Sequence, residues 1–224
     1  VVAAVKLPII ADADTGYGNA INLVRTVREF ERAGVAAIHI EDQITPKRCG
    51  HLDGKEVISI AEMEKKLEAA LGARTDKDFC IIARTDARGV HGFDDAIERA
   101  RGFAKLGVDA IFVEAPQSEK ELAEIPRRLP GIALLVNVFK GGKTPMLPMQ
   151  RLQEMGYRIA IYPSETQRAA IHAMRTALST LQREGTTESI DAALTTFQER
   201  DRVVGLDDWQ KIEREYLAVE PDKS

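Results

Sequence analysis

The stretch that decides the fold is Leu7-Pro8-Ile9-Ile10-Ala11-Asp12-Ala13-Asp14. This short apolar run ends in two carboxylates, glycines then make a turn, and Asn19 can cap a helix that runs to about residue 33. An apolar run followed by a turn and an amphipathic helix is typical of a buried strand and its crossover helix. Because similar units follow down the chain, the sequence predicts parallel βαβ units in an α/β fold.

Six strands are predicted in all, at residues 7–11, 36–40, 79–83, 110–113, 132–136 and 159–162. Helices are predicted between the strands, and two of them begin with the spacing of a capping box, at Ser59 with Glu62 and at Ser118 with Glu121. An open doubly wound sheet could also hold six strands, but no strand here leads into the glycine-rich turn of a dinucleotide-binding unit. A barrel is therefore the better prediction.

A (β/α)8 TIM-type barrel needs eight strands and typically about 250 residues. We predict that residues 1–185 form six of its eight βα units. The chain opens with a helix-like run, so we expect the first two units, roughly 60 residues, to belong upstream of Val1. Residues 186–224 exceed what a barrel needs and are predicted to be extra C-terminal helices.

The composition is that of a globular protein, with 224 residues of which 44% are apolar and 29% charged. The net charge of -4 argues against nucleic acid as the main partner, and no apolar run is long enough to cross a membrane. Cys49 lies in a polar loop and Cys80 in an apolar run, which does not indicate a disulfide framework. A reducing compartment, the cytoplasm, is the predicted location.

Polar side chains collect where the predicted strands end. They are Asp12, Asp14, Glu41, Asp42, Arg84, Asp86, Glu114 and Asn137. One carboxylate after a strand is usually a helix cap or a turn residue. Carboxylates after four strands favour a functional interpretation, because the strand ends of a barrel surround one pocket.

So many carboxylates around one pocket would repel one another without a cation. Oxygen ligands suit Mg²⁺, or Mn²⁺. Since Mg²⁺ is usually held by one or two protein carboxylates, we expect the substrate itself to chelate the metal. Arg84 offers a planar fork for a carboxylate of that substrate.

A second candidate is the loop Pro46-Lys47-Arg48-Cys49-Gly50-His51. Basic neighbours lower the pKa of a thiol and favour the thiolate. An exposed basic loop with an incidental cysteine would show the same pattern, but this loop directly follows the carboxylate-tipped second strand. That position favours an active site. None of the four histidines has the spacing of a zinc site.

Five motifs occur in one order along nearly the whole chain: 12–19, 40–43, 46–51, 83–87, and Asn137 with 141–145. Together they resemble the isocitrate lyase and phosphoenolpyruvate mutase superfamily. The Lys-Arg-Cys-Gly-His run is similar to its carbon–carbon lyases, especially 2-methylisocitrate lyase and 2,3-dimethylmalate lyase. The mutase and phosphonopyruvate hydrolase branch lacks this cysteine.

The resemblance implies roles for particular residues. Asp12 and Asp14 resemble the metal-holding pair, with Glu41 contributing directly or through water. Cys49 resembles the catalytic acid on a mobile gating loop. The residues implied at the substrate are Gly50, Arg84, Glu114, Asn137, Arg168 and Arg200, and we count His51 and Arg84 with Cys49 as catalytic.

The implied activity is that of a Mg²⁺-dependent lyase that splits a 2-hydroxy di- or tricarboxylate by retro-aldol chemistry into an α-keto acid and a carboxylate. The implied assembly is a homotetramer whose C-terminal helices pack on a neighbouring subunit. Two departures leave the substrate open: Lys140 stands where the lyases often carry glutamate, and the family's Ser-Gly-Ala keto-acid loop has no counterpart in the sequence. Alternatives are an oxaloacetate hydrolase or decarboxylase, a phosphonomutase-type enzyme and an inactive binding homologue.

Overall fold

The computed structural model describes residues 1–217. Its strands are Ile10–Asp12 (β1), Ala37–Glu41 (β2), Cys80–Thr85 (β3), Ala110–Val113 (β4), Ala133–Asn137 (β5) and Ile159–Ile161 (β6). Its α-helices are Ala20–Arg32 (α1), Ile60–Ala73 (α2), Phe93–Lys105 (α3), Glu119–Arg128 (α4), Met149–Met155 (α5), Glu165–Glu184 (α6), Phe197–Val203 (α7) and Leu206–Tyr216 (α8). The chain divides into two compact units, Val1–Glu165 and Thr166–Ser224.

All six strands lie in one parallel sheet in the order β1 to β6. Each strand is followed by a helix before the next strand pairs beside it, which confirms the predicted βαβ units and the α/β class. This architecture is consistent with a TIM-type fold. Within residues 1–217, β1 and β6 do not pair with each other. Closure by two further units stays a prediction.

One face of the sheet packs against the helices. Its buried side chains include Ile38, Ile40, Ile81, Ile111, Val113, Leu134 and Val136, and the helices contribute Leu23, Val27, Met63, Leu67, Ile97, Phe103 and Leu122. These strand residues are two apart within each strand, because successive side chains of a strand point to opposite faces. This core sets the position of every strand end.

The other face changes from apolar to polar along each strand. On β4 Phe112 is followed two residues later by Glu114, and on β5 Leu135 is followed by Asn137. Arg84 and Glu41 follow the same alternation and are partners in the register of β2 and β3. The polar residues therefore meet at the carboxyl ends of the strands.

The predicted helix starts are confirmed. The Asn19 side chain accepts the N–H of Ile21 and of Asn22, and the Asn22 side chain accepts the N–H of Asn19. Ser59 and Ser118 each accept an N–H three residues on, at 3.1 Å. These hydroxyl and amide oxygens satisfy backbone donors that have no partner within the helix.

The second unit is helical as far as the structure describes it, with α6, a 3₁₀ turn at Glu188–Ala193, α7 and α8. Residues 218–224 of the predicted C-terminal segment lie outside the described residues. Across residues 1–217, no helix is both long and apolar enough to cross a membrane.

Candidate active site

The first part of the site is a pair of carboxylates at the end of β1. Asp12 is the last residue of the strand, and its Oδ1 accepts the backbone N–H of Asp14 at 2.8 Å. Asp14 has a left-handed φ of 48°, which turns the chain sharply and is tolerated by aspartate better than by most residues. The turn keeps both carboxylates at one edge of the sheet.

Glu41, at the end of β2, is fully buried. Neither of its carboxylate oxygens accepts a hydrogen bond from the described residues, although Arg84 Nη1 lies 3.1 Å from Oε2. Burial raises the pKa of Glu41 to about 7, against the lowering effect of the Arg84 charge. Buried carboxylate oxygens without donors are costly unless another ligand satisfies them.

The three predicted metal ligands fit a hard cation by their chemistry. No group of three or more His, Cys, Asp or Glu side chains in residues 1–217 is arranged to hold a metal ion together. Mg²⁺ does not require such a cage, because it usually keeps several waters and takes one or two protein carboxylates. Asp12 and Asp14 are partly exposed and Glu41 has both oxygens without hydrogen-bond donors, so their metal role stays a prediction that the donor set supports.

The raised pKa of Glu41 leads to a stability prediction for the metal-free protein. The folded chain keeps this proton up to about pH 7, whereas an unfolded chain releases it near 4.5. Wild-type stability contributed by this group is therefore lost as the pH rises through that range. Glu41→Gln has no proton to lose. Between pH 4.5 and about pH 7, its free energy of unfolding should therefore rise relative to that of the wild type by up to about 3 kcal/mol. Urea unfolding with chelator across this range measures it, and a pH-independent difference would contradict the buried, donor-free carboxylate.

Arg84 lies beside Glu41 on β3 and is held in a fixed orientation. Its Nε and Nη2 donate to the two carboxylate oxygens of Asp86 at 2.9 and 3.1 Å, and its guanidinium lies over the Phe112 ring at 5.1 Å. A bidentate pair of this kind fixes the plane of the guanidinium. The structure thus places Arg84 among the strand-end residues, and its contact with a substrate stays a prediction.

Asp42 does not belong with the pocket residues, contrary to its inclusion among them in the sequence analysis. It is buried and accepts hydrogen bonds from the Thr85 hydroxyl at 2.7 Å, the Asp86 N–H at 2.8 Å and Arg99 Nη1 at 3.2 Å. Burial raises its pKa to about 6. As the residue after Glu41 it points away from the pocket and braces the end of β3.

The cysteine loop meets the strand ends through His51. Its Nε2 lies 2.9 Å from Glu114 Oε1, and its Nδ1 accepts the backbone N–H of Lys143 at 2.8 Å. Because Nδ1 is an acceptor, Nε2 is the nitrogen that carries the proton and donates it to Glu114. Asn137 Nδ2 donates to the same Glu114 oxygen at 3.3 Å. The structure therefore brings His51, Glu114 and Asn137 together, and their role in a pocket stays a prediction.

Glu114 is the charged centre of this group. Burial alone raises its pKa, but the hydrogen bond from His51 and the charge of Arg84 outweigh burial and hold the pKa below its ordinary value. Glu114 is therefore an ionised acceptor in the pocket. Its Oε2 and the Asn137 Oδ1 are buried without hydrogen-bond partners in the described residues, so both can accept from a ligand.

Gly50 lets the cysteine loop approach this group. A Cβ at position 50 would overlap the side chain of Glu114. Gly50→Ala should displace the loop, lowering kcat/KM and the free energy of unfolding, the latter by about 1–3 kcal/mol as for other overpacked sites. Gly72→Ala is the matched control, since position 72 lies in α2 with open space around it. Steady-state kinetics and urea unfolding measure both effects, and wild-type values for Gly50→Ala would show that the loop does not dock as described.

Two of the basic neighbours of Cys49, Lys47 and His51, contact other partners through their side chains, which differs from the expected basic setting of the thiol. Lys47 Nζ lies 2.7 Å from Asp14 Oδ1, and the His51 ring is held by Glu114. The Gln43 side-chain amide forms two hydrogen bonds with the backbone of Arg48: its Nε2 donates to the Arg48 carbonyl and its Oε1 accepts the Arg48 N–H, both at 2.9 Å. The Cys49 side chain is exposed.

Lys55 also holds the cysteine loop, through hydrogen bonds to its backbone, and the sequence did not predict this role. It is buried, and its Nζ donates to the carbonyls of Gly50 and Leu52, the latter at 2.8 Å. These two carbonyls flank His51, so the ammonium fixes the turn that projects the imidazole. A lone lysine in a basic loop carries no sequence signal for such a role.

Arg168 and Arg200 lie in the second unit, on α6 and α7. Arg200 pairs with Asp201 at 2.8 Å and its guanidinium lies over the Phe197 ring at 4.7 Å. Their part in a substrate site stays a prediction.

A family model described as phosphoenolpyruvate phosphomutase matches residues 1–182 of the chain. The chain belongs to the phosphoenolpyruvate mutase and isocitrate lyase superfamily. It is 44% identical over 218 residues to 2,3-dimethylmalate lyase of Eubacterium barkeri, covering 97% of this chain and 75% of that protein. It is 48% identical over 211 residues to 2-methylisocitrate lyase of Aeropyrum pernix, covering 94% and 68%.

Solved structures of the superfamily agree with this assignment. A 2,3-dimethylmalate lyase crystal structure matches with a TM-score of 0.86 at 37% identity, over 97% of this chain and 72% of that one. Oxaloacetate acetylhydrolase bound to 3,3-difluorooxalacetate matches with a TM-score of 0.87 at 36% identity, over 96% and 72%. Phosphonopyruvate hydrolase with oxalate and Mg²⁺ matches with a TM-score of 0.84 at 31% identity, over 96% and 75%. The superfamily membership and the lyase relatives confirm the predicted family and support a carbon–carbon lyase.

Proposed function

We propose that this protein is a Mg²⁺-dependent carbon–carbon lyase acting on a 2-hydroxy di- or tricarboxylate similar to 2-methylisocitrate or 2,3-dimethylmalate. The products are an α-keto acid and a carboxylate. The observation that carries the proposal is the docking of the cysteine loop. His51 of that loop reaches Glu114 and Asn137 at the strand ends, which places the Cys49 loop beside the carboxylates of the pocket.

The residues divide into two groups with different tasks. Asp12, Asp14 and Glu41 would hold Mg²⁺, which when bound lowers the pKa of a substrate hydroxyl. Glu114 and Asn137 offer buried acceptor oxygens for substrate donors, and Arg84 offers the N–H groups that Asp86 leaves unused. These groups orient the substrate before any bond breaks.

Bond cleavage then needs one proton delivered at the right carbon. As the substrate hydroxyl gives its proton to water, its oxygen forms the carbonyl of the keto acid and the adjacent carbon–carbon bond breaks. The electron pair of that bond stays on the carbon next to the departing carboxylate. The Cys49 S–H donates its proton to this carbon, and the resulting thiolate is reprotonated before the next turnover. Cys49 must therefore be a thiol when the bond breaks.

A product screen tests the proposed activity. The protein is incubated with Mg²⁺ and 2-methylisocitrate, isocitrate, 2,3-dimethylmalate or oxaloacetate, and keto-acid release is followed by mass spectrometry. We expect cleavage of at least one of the three hydroxy acids. Keto-acid release from none of them, by a folded protein, would overturn the lyase proposal.

Oxaloacetate hydrolysis or decarboxylation is the second candidate. It is supported by the close structural match to oxaloacetate acetylhydrolase and by Lys140, which departs from the lyase pattern. Turnover of oxaloacetate without cleavage of the hydroxy acids would favour it. A phosphonomutase-type reaction is disfavoured by Cys49, and an inactive binding homologue would bind the ligands without releasing product.

We also propose a cytoplasmic homotetramer in which the C-terminal helices pack on a neighbouring subunit. Large apolar side chains of the second unit support this: Leu194 is 39% exposed, Phe197 75%, Val204 60% and Trp209 66%. A neighbouring subunit that packs on these helices would cover these side chains. Light scattering at micromolar protein concentration should give the mass of a tetramer, and a monomer would refute the assembly.

A further inference from the structure

Lys47 joins the cysteine loop to the carboxylates of the predicted metal site. Its Nζ lies 2.7 Å from Asp14 Oδ1 and 3.9 Å from Glu41 Oε1. The ammonium therefore stands between two of the residues that would hold the cation. Lys47 is two residues before Cys49, so this contact also fastens the loop that carries the thiol.

Asp14 Oδ1 cannot contact the Lys47 ammonium as it does here and bind a divalent cation at the same time without strong repulsion between the two cations. A Mg²⁺ ligand lies about 2.1 Å from the ion, which would bring two positive groups within a few ångströms of each other. The repulsion of a single charge by a doubly charged ion at that distance is large enough to weaken cation binding about tenfold or more even in water. Lys47 and the cation are therefore competitors for this oxygen.

The Lys47 ammonium contacts Asp14 but does not come within hydrogen-bond distance of Glu41. Glu41 is fully buried, and neither of its oxygens accepts a hydrogen bond: Arg84 Nη1 forms an ion pair with Oε2 at 3.1 Å, and Lys47 stops 3.9 Å from Oε1. A cation that reaches this carboxylate satisfies oxygens that Lys47 leaves without a donor. The site is thus better matched to an ion than to the side chain that contacts it.

We propose that Lys47 competes with a divalent cation for Asp14, so that cation binding releases the Lys47 tether of the cysteine loop. This inference rests on the metal site of the proposed function. After release, Thr45 still joins the loop to Thr15 at 3.0 Å, and His51 still joins it to Glu114. Cation binding therefore loosens one end of the loop without detaching it.

Direct cation binding tests the competition without relying on turnover. The chelator-treated full chain is titrated with MgCl2 in a calorimeter, as wild type, Lys47→Met, Lys47→Arg and Lys143→Met. Lys47→Met removes the charge and keeps the length, so its Kd for Mg²⁺ should fall about tenfold. Lys47→Arg keeps the charge and should bind like the wild type. Lys143→Met removes the ammonium that pairs with Asp53 at 2.6 Å, another loop contact, and should also bind like the wild type.

Hydrogen exchange of the peptide covering residues 44–54 tests the release. Adding MgCl2 should speed exchange in the wild type and leave Lys47→Met unchanged, because that variant has no tether to release. Equal Kd values for wild type and Lys47→Met would overturn this inference and leave the metal site standing. If the wild type binds Mg²⁺ but hydrogen exchange of this peptide does not change, the proposed release of the loop would be overturned. Mg²⁺ binding by none of the four proteins would overturn the inference and the proposed metal site together.

Discussion

Cys49→Ser should lower kcat by about 10²–10⁴-fold, the range expected for loss of a general acid. A serine hydroxyl has the size and position of the thiol but is a far weaker acid, so the carbanion would not be protonated at a useful rate. Substrate and Mg²⁺ affinity should change little, because Cys49 acts after the substrate has bound and its side chain is exposed rather than part of the core. Steady-state kinetics with the cleaved substrate, together with calorimetric binding, separate the two effects.

Cys80→Ser is the matched control for this prediction. Cys80 lies at the start of β3, at the opposite end of the strand from Arg84, and is only partly buried. Its replacement should leave kcat near the wild-type value. Near-wild-type turnover by Cys49→Ser would remove Cys49 from the mechanism and with it the main argument for a lyase.

Chelation should silence the enzyme reversibly, and Asp12→Ala should cost nearly all activity at ordinary Mg²⁺ concentrations. The reason is that the carboxylates at the ends of β1 and β2 supply the oxygen ligands that a hard cation needs, and Asp12 also accepts the N–H that shapes the turn to Asp14. Raising the Mg²⁺ concentration should recover part of the activity of Asp12→Ala. The readouts are activity against free Mg²⁺ and Mg²⁺ affinity by calorimetry.

Asp78→Ala is the control for the loss of a carboxylate. Asp78 is exposed and precedes β3, so it lies at the opposite end of the parallel sheet from the site. It should keep wild-type Mg²⁺ dependence. Activity that survives exhaustive chelation would mean that the carboxylates at the strand ends serve another purpose.

Much of the pocket could be predicted from single strands. Alternation within a strand fixes which face a residue occupies, so Glu41, Arg84, Glu114 and Asn137 could be placed on one face by counting from their apolar neighbours. The parallel direction of the strands then brings their ends together. Asp42 was misplaced because it is one residue beyond Glu41, and its buried contacts with Thr85, Asp86 and Arg99 come from other parts of the chain.

The partners of the cysteine loop could not be predicted in the same way. The loop has no period that fixes where a side chain points, so the sequence placed Lys47, Arg48 and His51 around the thiol simply because they are adjacent. In the structure, Lys47 contacts Asp14 and His51 contacts Glu114, residues 33 and 63 positions away in the chain. Sequence adjacency gave no information about these distances.

The sequence by itself determined the alternation of strands and helices, the helix caps and the strand-end residues, because these follow from local spacing and backbone chemistry. Only the tertiary structure decided which side chains form hydrogen bonds and ion pairs with one another. It paired His51 with Glu114, set Lys47 between Asp14 and Glu41, and left the Glu41 oxygens buried without donors. The physical reason is that hydrogen bonds and ion pairs act over a few ångströms, and only folding brings distant segments within that range.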